Sequence, residues 1–131
     1  MKELPAREFD ARRETCGEAT RNVLDFLMTA AEHAGPDVGK PTFEVRGVGI
    51  TYWSRGKRFC RFDPKHRADH VWAMIPGADR TSLEAAGKVS RRGDEPWVTI
   101  KNMRDAVRLV PEILKAYDAA GATANRRVTK R

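Results

Sequence analysis

The chain lacks long apolar segments and has little cysteine. No stretch of its 131 residues approaches the roughly 20 consecutive apolar residues that a membrane-spanning helix needs. Met1 to Pro5 lead into charged residues instead of an apolar run, which argues against a secretory signal. The two cysteines, Cys16 and Cys60, match no metal spacing and are expected to be free thiols, the alternative being a disulfide in an oxidising compartment. We therefore expect a cytoplasmic protein.

Motifs that would indicate catalysis are missing as well. The sequence contains no nucleophile elbow, no phosphate-binding glycine loop and no His-Glu-x-x-His stretch. Four residues of metal-ligand type do occur close together, namely Asp63, His66, Asp69 and His70. Their spacing fits no established metal site, and the neighbouring Lys65 and Arg67 would repel a cation. We expect a non-enzymatic domain with no catalytic residues, no metal and no cofactor.

Positive charge is concentrated in one part of the chain. Residues 46–67 hold seven basic side chains against the single acid Asp63, whereas residues 1–45 carry more acidic than basic side chains. The side chains of this segment that we expect to bind nucleic acid are Arg46, Arg55, Lys57, Arg58, Arg61, Lys65, His66 and Arg67. Clustered charge of one sign creates the local field that attracts polyanions.

A second basic group lies at the C-terminal end of the chain, and it consists of Arg126, Arg127, Lys130 and Arg131. These residues either add non-specific phosphate contacts or serve only to keep the chain soluble. The sequence does not distinguish the two.

Aromatic residues are interleaved with the cations of residues 46–67, and they are Tyr52, Trp53, Phe59 and Phe62. Phosphates need cations and unstacked bases need flat rings, so this mixture favours nucleic acid, single strands included. Strict alternation puts Arg58 on one face of its strand and Phe59 with Arg61 on the other. Neither face is then purely apolar. The alternative interpretation is a solvated outer sheet face whose aromatic residues fill the core beneath it.

The N-terminal part of the chain has the apolar spacing of a helix. Residues 17–34 form an amphipathic pattern that ends at Gly35-Pro36. Residues 1–16 are predicted to be a separate segment, which forms a short helix of its own or an extension of the next one, because Gly17 weakens the join.

The C-terminal part predicts a longer helix. Asn102 is typical of an N-cap, and apolar residues at helical spacing continue from Met103 to Tyr117. Pro111 should bend this helix without abolishing it. Gly121 is expected to close it.

Between the helices the hydrophobic period changes to two. Four β-rich segments are separated by turn residues, namely Thr42–Arg46, Gly49–Ser54, Lys57–Asp63 and Asp69–Ile75. Such short connections require antiparallel pairing, with a tight hairpin at Arg55-Gly56 and a longer turn over residues 63–67. Residues 82–86 predict a helical turn, 88–96 a loop and 97–101 another strand.

These elements predict an α+β fold. An antiparallel sheet carries the N-terminal helix and the long C-terminal helix on one face, which makes a two-layer sandwich. We expect residues 17–121 to form a single domain and residues 122–131 a basic flexible tail.

Two short motifs give the chain a resemblance to a known family. Val45-Arg46 leads into Gly56-Lys57-Arg58-Phe59-Cys60, and the strand Trp97–Ile100 feeds a helix that ends near Tyr117. Over roughly residues 18–120 the chain resembles the small YjbR-like (MmcQ/YjbR) domains, from which it departs at residues 91–96 and at Pro111. The resemblance implies a double-wing α+β fold and, through likeness to a phage transcription factor, DNA binding. It implies no catalytic residues.

We expect the chain to contact nucleic acid through its hairpin tips and sheet edge. Arg55 with Lys57 and the turn over residues 65–67 should be exposed whichever sheet face is buried. The alternative is a small-molecule or protein-interaction domain whose pocket is lined by tryptophans on three strands, namely Trp53, Trp72 and Trp97. Those rings are otherwise core or rim packing.

Overall fold

A computed structural model describes the backbone of residues 3–65, 67, 69–92 and 95–129, with side chains from residue 4 to residue 121 of that set. The helices of this part of the chain are α1 (Glu3–Thr15), α2 (Glu18–Glu32), α3 (Arg80–Glu84) and α4 (Met103–Thr129). Its strands are β1 (Thr42–Glu44), β2 (Gly49–Ser54), β3 (Lys57–Lys65), β4 (His70–Met74), β5 (Lys88–Arg92) and β6 (Glu95–Ile100). The predicted α+β class is confirmed.

The six strands form one antiparallel sheet in the order β1-β2-β3-β4-β6-β5. A two-residue hairpin joins β2 to β3, as predicted. Arg55 and Gly56 have φ angles of 52° and 81°, and positive φ at both central positions is what a type I′ turn requires. This turn suits the right-handed twist of the strands that it connects.

The strand register divides the side chains into two cross-strand faces. One face carries the apolar row Ile50, Phe62, Ala73, Val98 and Val89. The opposite face carries the row Thr51, Arg61, Met74, Trp97 and Ser90. We call them the inner face and the outer face.

The buried apolar residues of the four described helices belong to one core cluster that includes the inner face of the sheet. Leu24 and Leu27 of α2 and Leu109 and Ile113 of α4 are fully buried there. Phe9 anchors α1 against β1, where the Phe9 and Phe43 ring centroids are 5.4 Å apart. Among the described elements, therefore, the helices pack on the inner side and leave the outer face to strands alone.

A β-bulge in β3 corrects the predicted alternation. Tyr52 pairs with Cys60 and Trp53 pairs with Arg58, so Phe59 is an extra residue in the ladder. Phe59 is buried and its ring meets Tyr117 of α4 edge-on at 5.6 Å. Because two consecutive residues point inward, Arg58 and Arg61 lie on the same outer face and not on opposite faces.

Several boundaries also differ from the prediction. Residues 88–96 are not a loop, since they contain β5 and the start of β6. β3 continues through Pro64 to Lys65, where the turn was expected. Pro64 is tolerated there because it lies beyond the last residue of β3 that pairs with β2, so no ladder bond on that side is lost.

The long helix α4 also extends further than expected, past Gly121 to Thr129. Its N-cap is as predicted, because the Asp105 backbone N–H donates to Asn102 Oδ1 at 2.9 Å. The apolar stripe is divided between two sides of the helix. Ala106 and Ile113 are buried, whereas Val107 is 52% exposed.

The cysteines, the N-terminal helices and the lengths of the helices were also subjects of prediction. Cys16 and Cys60 are both free and buried. α1 is a helix separate from α2, with the break at Cys16-Gly17. None of the described helices combines the length and the apolar character needed to cross a membrane.

Candidate functional site

The outer face of the sheet contains a groove of about 380 Å³. Its walls come from β3, β4, β5, β6 and the turn between β1 and β2. The side chains that line it are Arg46, Arg58, Arg61, Asp63, Lys65, Trp72, Met74, Arg92, Glu95 and Trp97, together with Gly47. Five of these side chains are basic and two are acidic, so the groove is electropositive.

Two tryptophans on neighbouring strands form the aromatic part of the groove. The Trp72 and Trp97 ring centroids are 5.9 Å apart, with the rings tilted by 55°. They meet because Trp72 pairs with Thr99 and Trp97 pairs with Met74, which places the two indoles diagonally on the outer face at a separation that large side chains can bridge. Both rings remain partly exposed.

Three cations lie over these rings. The Lys65 Nζ atom is 4.8 Å from the Trp72 ring centroid, and the Arg92 guanidinium carbon is 5.0 Å from the same centroid. The Arg61 guanidinium carbon is 5.4 Å from the Trp97 centroid. Because each separation is within the reach of a cation–π interaction, the charges are held against the sheet surface and not on freely extended side chains.

Arg61 is fixed by a buried carboxylate. Its Nε and Nη2 atoms donate to the two oxygens of Asp63 at 2.7 and 2.9 Å, and Nη2 also donates to the Arg46 backbone carbonyl at 2.7 Å. The side chain of Asp63 is only 3% exposed and that of Arg61 16%. Burial raises the pKa of Asp63, while the bond from Arg61 opposes the rise. The pair therefore holds the Arg61 guanidinium over Trp97.

Gly49 makes room for this ion pair. A Cβ atom at Gly49 would overlap the Asp63 carboxylate and would crowd Arg61 Nε at 2.8 Å. The glycine is therefore needed for close approach of the carboxylate to the backbone. Reasoning from the sequence had given Gly49 no role.

Lys65 lies in a partly buried position of the groove, close to other positive charges. Burial lowers its pKa, and the positive charges of Arg12, Arg92 and Arg61 lower it further, against an opposing effect of Asp63. Desolvation and like charges both disfavour the ammonium form. A bound anion beside Lys65 would offset the repulsion from these neighbouring positive charges.

Arg58 contributes to the groove at its other end. Its Nη2 atom lies 3.4 Å from Glu95 Oε1 in a partly exposed ion pair, and such pairs are weak in water. Among the described side chains, Arg46, Lys65 and Arg92 form no ion pair.

The structure thus brings together six of the residues selected from the sequence, which are Arg46, Arg58, Arg61, Lys65, Trp72 and Trp97. The basic residues and two of the three tryptophans had been assigned to competing functions. They line one groove. Any ligand of this surface would meet both kinds of side chain.

The remaining candidates lie elsewhere. Arg55 donates to Asp37 at 2.6 Å and to the Gly121 carbonyl of α4 at 3.4 Å, so the hairpin tip is tied to the helical layer. Lys57 lines a second hollow, of about 240 Å³, beside α4. Trp53 donates to Thr42 near the β1 edge of the sheet.

The second turn is described only in part. Arg67 is exposed. His66 lies outside the described residues, as do Lys130 and Arg131 and the side chains of Arg126 and Arg127.

Sequence reasoning assigned no binding role to five lining residues, Gly47, Asp63, Met74, Arg92 and Glu95. Arg92 and Glu95 lie opposite each other in the β5–β6 ladder, within the segment that had been assigned to a loop. β5 is an edge strand in which only Val89 is buried, so it carries little of the apolar alternation that identifies a strand. The adjacent arginines Arg91-Arg92 were the one available signal.

A larger cavity, of about 520 Å³, lies beside α3 and the β5 edge. Arg80 and Arg91 contribute charge to it, but no tryptophan lines it. In the described part of the chain, no group of three His, Cys, Asp or Glu side chains could hold a metal ion. The Asp69 carboxylate instead accepts a hydrogen bond from Thr20 at 2.7 Å.

The fold and the groove together define a small α+β protein with an open, basic and aromatic sheet face. Comparison of the chain with protein-family models, with curated proteins and with solved structures found no match. The resemblance to YjbR-like domains therefore stays a prediction.

Proposed function

We propose that this protein binds nucleic acid through the groove on the outer face of its sheet, without catalysing a reaction. The observation that carries the proposal is the placement of Lys65, Arg92 and Arg61 within 5.4 Å of two tryptophan rings on a surface that no described helix covers. Cations supply the attraction for phosphates, and the rings supply surfaces for bases.

The charge of the groove sets the expected salt dependence. Three basic side chains, Arg46, Lys65 and Arg92, have no carboxylate partner among the described residues. Each neutralised phosphate contributes roughly 0.7 to 0.9 to the slope of log affinity against log salt. We therefore expect a slope of about 2 to 3 from the groove.

The test is a binding titration with matched charge reversals. Arg92→Glu should weaken binding of a labelled oligonucleotide by roughly tenfold or more at low salt and flatten the salt slope by about 1. Arg108→Glu is the control, because it makes the same change on exposed α4, in the opposite layer of the fold. Equal losses in the two variants would show that only overall charge matters, and no binding by the unmodified chain would refute the proposal.

The hairpin tip can be tested in the same titration. Lys57→Glu reverses a charge outside the groove, beside α4. If the tip contributes phosphate contacts, as the sequence predicts, this variant will also reduce the slope. If the groove alone binds, it will resemble Arg108→Glu.

A second candidate function is binding of a small planar anion. A volume of about 380 Å³ falls at the lower end of the range of ligand pockets, roughly 300–1,000 Å³, and the Trp72–Trp97 pair is suited to a flat ring. A mononucleotide that saturates the groove at the affinity of a long oligonucleotide would favour this alternative. Affinity that rises with oligonucleotide length would favour the first.

A further inference from the structure

The groove offers more to an unpaired base than to a base in a duplex. Trp72 and Trp97 are partly buried and lie on the sheet surface. Bases in a duplex expose only their edges, and reading those edges requires an element that enters a groove about 12 Å wide. The described outer face presents strands and a concavity, and no element that could enter such a groove. A duplex would therefore contact the cations of the protein, while the stacked bases of the duplex stay away from the tryptophan rings.

The cations themselves add stacking surfaces. The guanidinium groups of Arg61 and Arg92 are planar and lie near the two indoles, and a guanidinium plane stacks on a base as an aromatic ring does. Arg61 is held in place by two bonds to Asp63, so ordering it on binding costs little entropy. Ring and guanidinium thus form a preorganised platform at Trp97.

The two tilted rings also face in different directions. With a 55° angle between them and 5.9 Å between centroids, they cannot both stack on one base, since stacked rings are parallel. Together with the cations that lie over them, the rings present two separate surfaces to a strand whose bases are splayed apart. Lys65 and Arg92, which lie over Trp72, are placed to take the phosphates between those bases.

We infer that the groove takes unpaired nucleotides of a single-stranded nucleic acid, DNA or RNA, in preference to a duplex. This inference rests on the proposed function and specifies the substrate class of the same site. Base–aromatic stacking contributes roughly 1 to 3 kcal/mol per base, which corresponds to roughly 5- to 150-fold in affinity for each ring. A duplex whose bases remain paired would not gain this stacking energy.

The experiment measures fluorescence anisotropy with labelled 12-nucleotide probes, a deoxythymidine strand, a uridine strand, an abasic strand and a 12-base-pair duplex. The unmodified chain should bind both base-bearing strands at least about 5-fold more tightly than the abasic strand or the duplex. The abasic strand keeps the phosphates and lacks the bases, so it separates the contribution of charge from that of base stacking. Replacing the uridine strand with a deoxyuridine strand changes only the sugar 2′-hydroxyl, so a difference between those two strands would identify the sugar preferred.

Trp97→Leu should reduce affinity for the base-bearing strands by at least about 5-fold, the share of one ring, and leave affinity for the abasic strand unchanged. Trp53→Leu is the matched control because Trp53 lies outside the groove. Trp97→Phe, which keeps a ring, should recover part of the loss, and circular dichroism will show whether each variant folds. Should Trp97→Leu not fold, quenching of the natural tryptophan fluorescence by the unlabelled thymidine strand, but not by the abasic strand, provides the same test.

The outcomes separate the two proposals. Salt-dependent binding that is equal for all probes, or tighter for the duplex, would overturn the inference and leave the proposed function standing. Absence of binding to every probe would overturn both.

Discussion

The ion pair between Arg61 and Asp63 allows the sharpest energetic prediction. Arg61→Met leaves a carboxylate that is 3% exposed without its partner. Breaking a buried pair by removing one member costs about 3–5 kcal/mol, whereas replacing both members with apolar side chains of similar size is often close to neutral. Asp63→Leu should cost less than Arg61→Met, because Arg61 keeps its bond to the Arg46 carbonyl.

The double variant Arg61→Met/Asp63→Leu should therefore be more stable than Arg61→Met alone. We expect a coupling of about 3 kcal/mol in a double-mutant cycle measured by urea unfolding at pH 7. At about 3 to 5 °C per kcal/mol for a chain of this size, Arg61→Met should lower the melting temperature by roughly 10 °C or more. A coupling below about 0.5 kcal/mol means that the losses of stability in the two single variants simply add. That result would refute the prediction that Arg61 and Asp63 interact as a buried ion pair.

Two further predictions concern the same surface. Gly49→Ala should displace the Asp63 carboxylate, because the new methyl group would overlap it; we expect a loss of about 1–3 kcal/mol in urea unfolding, and an unchanged midpoint would show that the backbone moves aside. The lowered pKa of Lys65 means that the folded chain holds fewer protons than the unfolded chain between that pKa and the ordinary 10.5, so stability from this group rises with pH over that interval. Affinity for an oligonucleotide should fall over the same interval as the charge is lost, and Lys65→Arg should remove the fall; an identical alkaline profile in that variant would contradict the assignment.

The fold was largely predictable because its signals are local. Gly49–Ser54 was predicted with its observed bounds, and the Arg55-Gly56 turn and the Asn102 cap follow from backbone chemistry within a few residues. β5 was missed because an edge strand buries few side chains. It therefore lacks the alternation on which the prediction relied.

The groove was predictable only in its composition. The sequence identified most of its cations and two of its rings, but whether Arg58 and Arg61 share a face depends on the bulge at Phe59. The contact of Arg92 with Trp72 and the contact between Trp72 and Trp97 depend on the order of β4, β6 and β5. Strand order is a long-range property that side-chain periodicity does not encode.

The bulge also affects how the sequence of β3 would be aligned with the sequences of other proteins. By turning both Phe59 and Cys60 inward, β3 gives the core one side chain more than a regular pleat allows, and Arg58 and Arg61 stay outside. A bulge-free strand with the same surface would be one residue shorter at this point. An alignment that forbids a gap there would match Arg58 to an inward-facing apolar residue, and two proteins with the same cationic face would look unrelated in their most informative segment.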